Sequence, residues 1–167
     1  MRISSLAIAA ALTLASLSTS LSGQRPDDEI DARSVELVAQ AKAARAAGDL
    51  DGAVDLLETA VTVDPRNRPA FLLLADVAQA RELPGKAIRL YREALILEPN
   101  DVSALRGQGE ALVKKGAVAR AQDNLSKIRT LCKGQCPEAQ QLSAVIAKGP
   151  PVTTAAATPA QPKAGSN

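Results

Sequence analysis

The chain has 167 residues, 46% of them hydrophobic, and a formal net charge of +2 with no histidine. The absence of imidazole excludes histidine-based acid–base catalysis and histidine-bearing metal sites, and the near-neutral balance gives no support to general polyanion binding. One phenylalanine, one tyrosine and no tryptophan leave too few aromatic platforms for stacking on single-stranded nucleic acid, so no nucleic-acid partner is expected.

Met1-Arg2 supplies a short positive start, Ile3 to Leu17 an apolar run and Ser18 to Gly23 a small-residue exit, the three parts of a secretory signal peptide. The run is interrupted by Ser4, Ser5, Thr13 and Ser16 and falls short of the ~20 residues of a membrane span. Residues 1–23 are therefore expected to direct export to a periplasmic or secreted location and to be cleaved near Ser22 or Gly23, with no membrane span after removal. Gln24 stands where a lipid-modified cysteine would follow Leu21-Ser22-Gly23, so no lipid anchor is expected. Removal takes away Arg2 and no acid, leaving 19 basic and 18 acidic residues.

Residues 24–33 form an acidic leader without sustained apolar periodicity. A first helix is predicted over Ser34 to Ala47, where Leu37, Ala41 and Ala44 follow helical spacing and Gly48-Asp49 supplies the stop. A second runs from about Asp51, read as its cap, through Ala53, Leu56, Leu57, Ala60 and Val61 to Val63, and Pro65 ends it. The next helix has Pro69 near its start and Phe71, Leu74, Ala75 and Ala78 facing inward. Glu82 and Leu83-Pro84-Gly85 then make a turn, and Pro84 opens a helix with Ala87, Ile88, Leu90, Tyr91, Ala94, Leu95 and Leu97 inside, closed by Glu98-Pro99. Asp101 caps a fifth helix carrying Leu105, Gly109 and Leu112, which stops at Gly116. Val118, Ala121, Leu125, Ile128 and Leu131 mark a sixth, and Pro137 opens a seventh through Ala139, Leu142, Val145 and Ile146. From Gly149 onward Pro, Ala, Thr and Gly dominate, so residues 149–167 are expected to be a disordered tail.

These helices repeat with a period of about 34 residues: Ala53, Ala87 and Ala121 correspond, as do Ala60 with Ala94 and Pro65 with Pro99. Small residues where two helices touch, with a proline ending each unit, are the signature of a helical solenoid. The repeats are 34–67, 68–101 and 102–136, with 137–148 as a cap helix over the last apolar face. Ordering a single repeat costs ~1 to 2 kcal/mol per residue, more than its ten or so core side chains return at ~1.5 to 3 kcal/mol each, so the repeats must stack to fold. Charge runs along the stack. Residues 24–33 carry two basic and four acidic side chains, 34–67 three and six, 68–101 five and five, and 102–136 seven and two. Self-assembly of acidic ends on basic ends is one reading of that gradient, against a monomer or weak self-association.

Cys132 and Cys136 are the only cysteines, four apart around Gly134 at a helix-to-helix turn. In an exported chain a disulfide is the natural reading, worth roughly 2 kcal/mol by the chain-entropy estimate for so short a loop. The rival is a thiol-disulfide factor, although three intervening residues differ from the two of thioredoxin-like motifs. Two thiolates without histidine leave a zinc shell unfilled, so no metal and no cofactor are expected. Gly107-Gln-Gly109 lacks a third glycine at Leu112, and Pro84-Gly85-Lys86 lacks the remaining elements of a phosphate loop. No catalytic residues and no enzyme activity are expected.

The chain resembles a tetratricopeptide-repeat protein over Ser34 to about Leu131, of an exported bacterial type with three repeats. The match rests on Phe71, Ala75, Ala87, Ala94 and Pro99 in the second repeat, on Leu37, Ala41, Gly48, Ala53, Ala60 and Pro65 in the first, and on Leu105, Gly109, Gly116 and Ala121 in the third. Ile128 and Lys133 depart from it at the second alanine and the closing proline. The resemblance implies an all-α, right-handed helical solenoid of three helix-turn-helix repeats plus a C-terminal capping helix, whose concave groove binds an unknown protein or peptide. By position, the groove-facing residues would be Val38, Lys42 and Arg45, then Leu72, Asp76 and Gln79, then Arg106, Glu110 and Val113. One subfamily grips a terminal carboxylate with basic and asparagine side chains; its positions here hold Val38, Lys42, Leu73, Ser103 and Gly107, which cannot form that clamp. Exported members often serve envelope complex assembly, and the implied role is an interaction scaffold of that kind.

Overall fold

The computed structural model describes residues 29–133 and 136–151; the expected signal peptide, residues 24–28 of the leader and residues 152–167 of the expected tail lie outside the described residues. Within them the chain forms seven α-helices: α1 Ala32–Ala46, α2 Leu50–Val63, α3 Arg68–Ala80, α4 Pro84–Leu97, α5 Val102–Lys114, α6 Val118–Leu131 and α7 Pro137–Lys148. Four of them start on a side-chain cap that satisfies an amide lacking an intrahelical partner. Asp31 accepts from the Arg33 amide, Asp49 from Gly52, Asn67 from Ala70 and Asp101 from Ala104. Helices α4 and α7 begin instead on Pro84 and Pro137, whose missing N–H is harmless there.

Two boundaries differ from the sequence reading. The cap of α2 is Asp49, not Asp51; Gly52 has no Cβ to obstruct the Asp49 carboxylate, and Asp51 pairs with Arg81 of the next repeat. Helix α1 starts at Ala32 because Asp31 caps it, so the last two residues of the expected leader are helical.

Helices pair antiparallel within each repeat, α1 with α2, α3 with α4 and α5 with α6. Each odd helix also packs closely against the odd helix of the next repeat, whereas the backbones of α2 and α4, and of α4 and α6, do not approach in this way, and α2 meets α4 through the exposed Glu58–Lys86 ion pair. The stack is thus drawn together on the odd side and open on the even side, which puts α1, α3, α5 and α7 on the inner face of the curve. Ala53, Ala60, Ala87, Ala94 and Ala121 are fully buried at the helix contacts. Ile128, in place of the third repeat's second alanine, is fully buried too and joins Leu105, Leu125, Ala139 and Leu142 in the cluster that seats α7. A Cβ on Gly109 would overlap Leu142, so that glycine is the floor on which the cap helix rests.

Successive repeats are registered at the starts of their odd helices. Asn67 donates to the Ser34 hydroxyl, which donates to the Ala60 carbonyl, both at 2.7 Å and fully enclosed. One period later the same positions hold an ion pair, Arg68 with Asp101. The chain entering α1 is fixed to the next turn by Asp64, a buried carboxylate that accepts from the amides of Asp31 and Arg66 and from the Arg66 guanidinium.

The turns after α1, α3 and α5 place Gly48, Glu82 and Gly116 in the left-handed region, with φ of 84°, 56° and 77°. These positions lie one period apart, and only the middle one bears a side chain, which costs about 1 kcal/mol or more in that region. Replacing Glu82 by glycine is expected to raise stability by about 0.5–1 kcal/mol, partly offset by the freer unfolded chain; a urea midpoint that is unchanged or lower would contradict this.

Hydrogen bonds from the Arg66 side chain, then from the amides of Asp31 and Arg66, hold the Asp64 carboxyl well below its usual 3.8, against the opposing effect of burial. A carboxyl lowered on folding contributes stability that is complete above its unfolded pKa and lost as the pH falls below it. Asp64→Asn is therefore expected to lower the urea midpoint at pH 6 and to lose less of it than the wild type between pH 5 and pH 3. Parallel acid limbs for the two proteins would show that Asp64 is not a source of the acid sensitivity.

Candidate functional site

The inner face presents a polar cluster assembled from three odd helices and one even one. Tyr91 of α4 is buried with the core, where it sits one period from Leu57 and Leu125, and its hydroxyl bonds to partly exposed residues of α3. That hydroxyl donates to Asp76 Oδ1 of α3 at 2.6 Å and accepts from Gln79 Nε2 at 2.9 Å. Gln79 also donates to the Gly107 carbonyl of α5 at 3.4 Å. Arg45 of α1 lies 3.6 Å from the other Asp76 oxygen, with both side chains about 40% exposed at 41% and 40%. On α5, Arg106 donates to Glu110 at 2.7 Å.

Tyr91 can reach this surface because Gly107 leaves it room: a Cβ at residue 107 would overlap the end of the ring. Burial chiefly, then the hydrogen bond and charge of Asp76 and the charge of Glu110, push the phenol far above its usual 10.0, with Gln79 acting the other way. Tyr91 is therefore a neutral donor that holds Asp76 in place.

Of the nine residues expected in the groove, the structure joins Asp76 and Gln79 through Tyr91, places Arg45 beside the other Asp76 oxygen, and pairs Arg106 with Glu110. Lys42 is exposed on α1, and Leu72 is partly buried against the central core. Val38 and Val113 are corrections, since at 5% and 1% exposure they belong to the core. Val38 packs with Leu73, Leu74 and Val77, and Val113 with Ala78 and the α4 residues of the central cluster. Equivalent positions change their exposure along the stack. Val38, Leu72 and Arg106 go from buried to partly open, whereas Arg45, Gln79 and Val113 go from open to buried. The polar line accordingly crosses the helices obliquely, from Arg45 through Asp76 to Arg106, as the twist of a solenoid requires. Tyr91 and Gly107 were not expected in the site; a tyrosine at a core position, which needs a partner for its hydroxyl, was the available signal.

Cys132 and Cys136 are joined in a disulfide that links the end of α6 to the cap of α7. Glu138 brings a carboxylate within 4.8 Å of both sulfurs, but the sulfurs are bonded to each other and offer no thiolate to a metal. Among the described residues no helix is long and apolar enough to cross a membrane.

Removing the Tyr91 hydroxyl leaves Asp76 and Gln79 each short of a partner, so Tyr91→Phe is expected to cost about 1–2 kcal/mol. A double-mutant cycle with Gln79→Ala should show coupling of at least about 0.5 kcal/mol; additive losses in urea denaturation would mean that the cluster does not act as a unit.

A family model described as tetratricopeptide repeat matches residues 38–85 and 72–123, together about half of the chain. No curated protein sequence matches it. Among solved structures, the first such repeat domain of Spaghetti (RPAP3), bound to an HSP90 peptide, aligns with a TM-score of 0.64 at 16% identity, over 70% of this chain and 92% of that one. The Yersinia enterocolitica type III secretion chaperone SycD, in complex with a peptide of the translocator YopD, aligns with a TM-score of 0.61 at 23% identity, over 72% and 92%. A Thermobaculum terrenum O-GlcNAc transferase mutant aligns at 0.62 and 24% over 69% of this chain but only 22% of that protein, so the fold also occurs as a part of an enzyme. The period, the paired helices and the family match agree: the chain belongs to the tetratricopeptide-repeat family.

Proposed function

We propose that the chain is a non-catalytic interaction scaffold that holds an extended or helical segment of another protein along the inner face of α1, α3 and α5. The observation that carries this is the oblique polar line of Arg45, Asp76, Gln79, Arg106 and Glu110, whose central members are fixed by hydrogen bonds to the buried Tyr91. Fixing donors and acceptors on a folded surface before a partner arrives reduces the entropy lost on binding. The mixed signs favour a partner with charges of both kinds over a polyanion. Spaghetti and SycD, which share the fold, were solved with bound peptides, and that use of the fold is the one proposed here. With the signal-like residues 1–23, the proposed setting is the periplasm or the cell exterior, in the assembly of an envelope complex.

Affinity capture from a native envelope extract tests the reading when wild type is compared with the triple variant Lys42→Ala/Asp76→Ala/Arg106→Ala. The expected result is a partner retained by the wild type and lost, by about tenfold or more, from the variant. Equal capture by both proteins would remove the inner face from consideration.

A further inference from the structure

We propose that the inner face ends in an anchor site, a cavity between the C-terminal ends of α5 and α7 that takes an aliphatic side chain flanked by carboxylates on a partner segment. This rests on the groove reading above and names the chemistry of the segment at one end of it. The cavity has a volume of about 540 Å³ and is lined by Glu82, Pro84, Val113, Lys114, Val145 and Lys148, together with the chain leaving α7. That volume lies within the ~300–1,000 Å³ of ligand-binding clefts. The wall is mostly apolar, with Val145 of α7 and Pro84 from the start of α4 standing around the buried Val113 of α5.

From the end of the polar line at Arg106 the way to the cavity runs along α5 itself. Arg106, Glu110 and Val113 follow one another at spacings of four and three on α5, so they lie along one side of that helix, and a segment resting on Arg106 and Glu110 is led to Val113. The burial of Val113 that removes it from the groove makes it the base of this recess.

Charge selects the occupant. Lys114 and Lys148 are both exposed beside the cavity, and neither takes part in an ion pair among the described residues. They are not required as caps, because the last carbonyls of α5 already accept from the amides of Lys115, Gly116 and Ala117, and Ile146 of α7 accepts from Gly149. Glu82 is the one acid in the lining. Two unpaired ammonium groups against one carboxylate, around an apolar base, complement an aliphatic residue with acidic neighbours.

Fluorescence anisotropy on the full chain, with a fluorescein-labelled heptapeptide Gly-Glu-Asp-Leu-Glu-Asp-Gly as the probe, tests the site. The leucine probe is expected to bind the wild type, and to bind about tenfold or more weakly when its leucine is replaced by alanine or when the protein carries Lys114→Glu/Lys148→Glu. Both lysines are exposed, so the double variant should keep the wild-type circular dichroism. No binding to the wild type, or equal binding by the lysine variant, would overturn the anchor site. Neither result bears on capture of a native partner by Lys42, Asp76 and Arg106, so failure here is distinguishable from failure of the groove reading.

Discussion

Direct contact between successive odd helices is the constraint from which the rest of the architecture follows. Because α1 packs on α3, α3 on α5 and α5 on α7, while the even helices do not pack backbone to backbone, the stack curves and its inner face becomes a groove. Close approach requires small residues or none at the points of contact. Gly107 admits the Tyr91 ring and Gly109 admits Leu142, so two glycines on one helix serve two ends of the same need. The first opens a route for a core residue to reach the groove, and the second lets the last helix close the apolar end of the stack.

The junctions show that one geometric position can be held by different chemistry. Between the first and second repeats it is a neutral pair, Ser34 with Asn67, both enclosed and fully satisfied. Between the second and third it is Arg68 with Asp101, where the arginine keeps contact with water. A neutral pair suits complete burial, since an enclosed charge pair recovers its desolvation only when its geometry is excellent. A similar exchange occurs inside the third repeat. Leu74 and Leu90 of the second repeat are replaced by Gln108 and Asn124, which bond to each other at 3.0 Å and to the carbonyls of Ile88 and Leu105. The apolar contact becomes a directional one, so the α5–α6 pair carries orientation information that packing alone would supply less sharply.

The fold was legible because its punctuation is covalent in origin. Pro84, Pro99 and Pro137 cannot continue a preceding helix, and Gly48 and Gly116 take backbone angles that other residues resist, so the helix ends stand close to where the sequence puts them. The cap of α2 was not legible, since Asp49 and Asp51 are both good caps and the choice lies in the space beside Gly52. The site was legible in its middle and not at its ends. Asp76 lies near the centre of the odd-helix face and stays partly open, but Val38 and Val113 lie where a modest twist between repeats decides between core and surface. A period of 34 assigns equivalent residues the same role; the twist makes those roles drift.

That drift bears on what the groove can recognise. A straight stack would offer three copies of one helix face, and its specificity would come from the three sets of residues taken separately. Here the accessible line passes from near the C-terminal end of α1 to the first half of α5, and each helix contributes a different level of its face. The partner segment must therefore cross the helices at an angle, meeting a cation at Arg45, an acid at Asp76 and an ion pair at Arg106 and Glu110 in a set order. Tyr91 fixes the middle of that order from inside the core, which ties the recognition surface to the packing of the repeat that carries it.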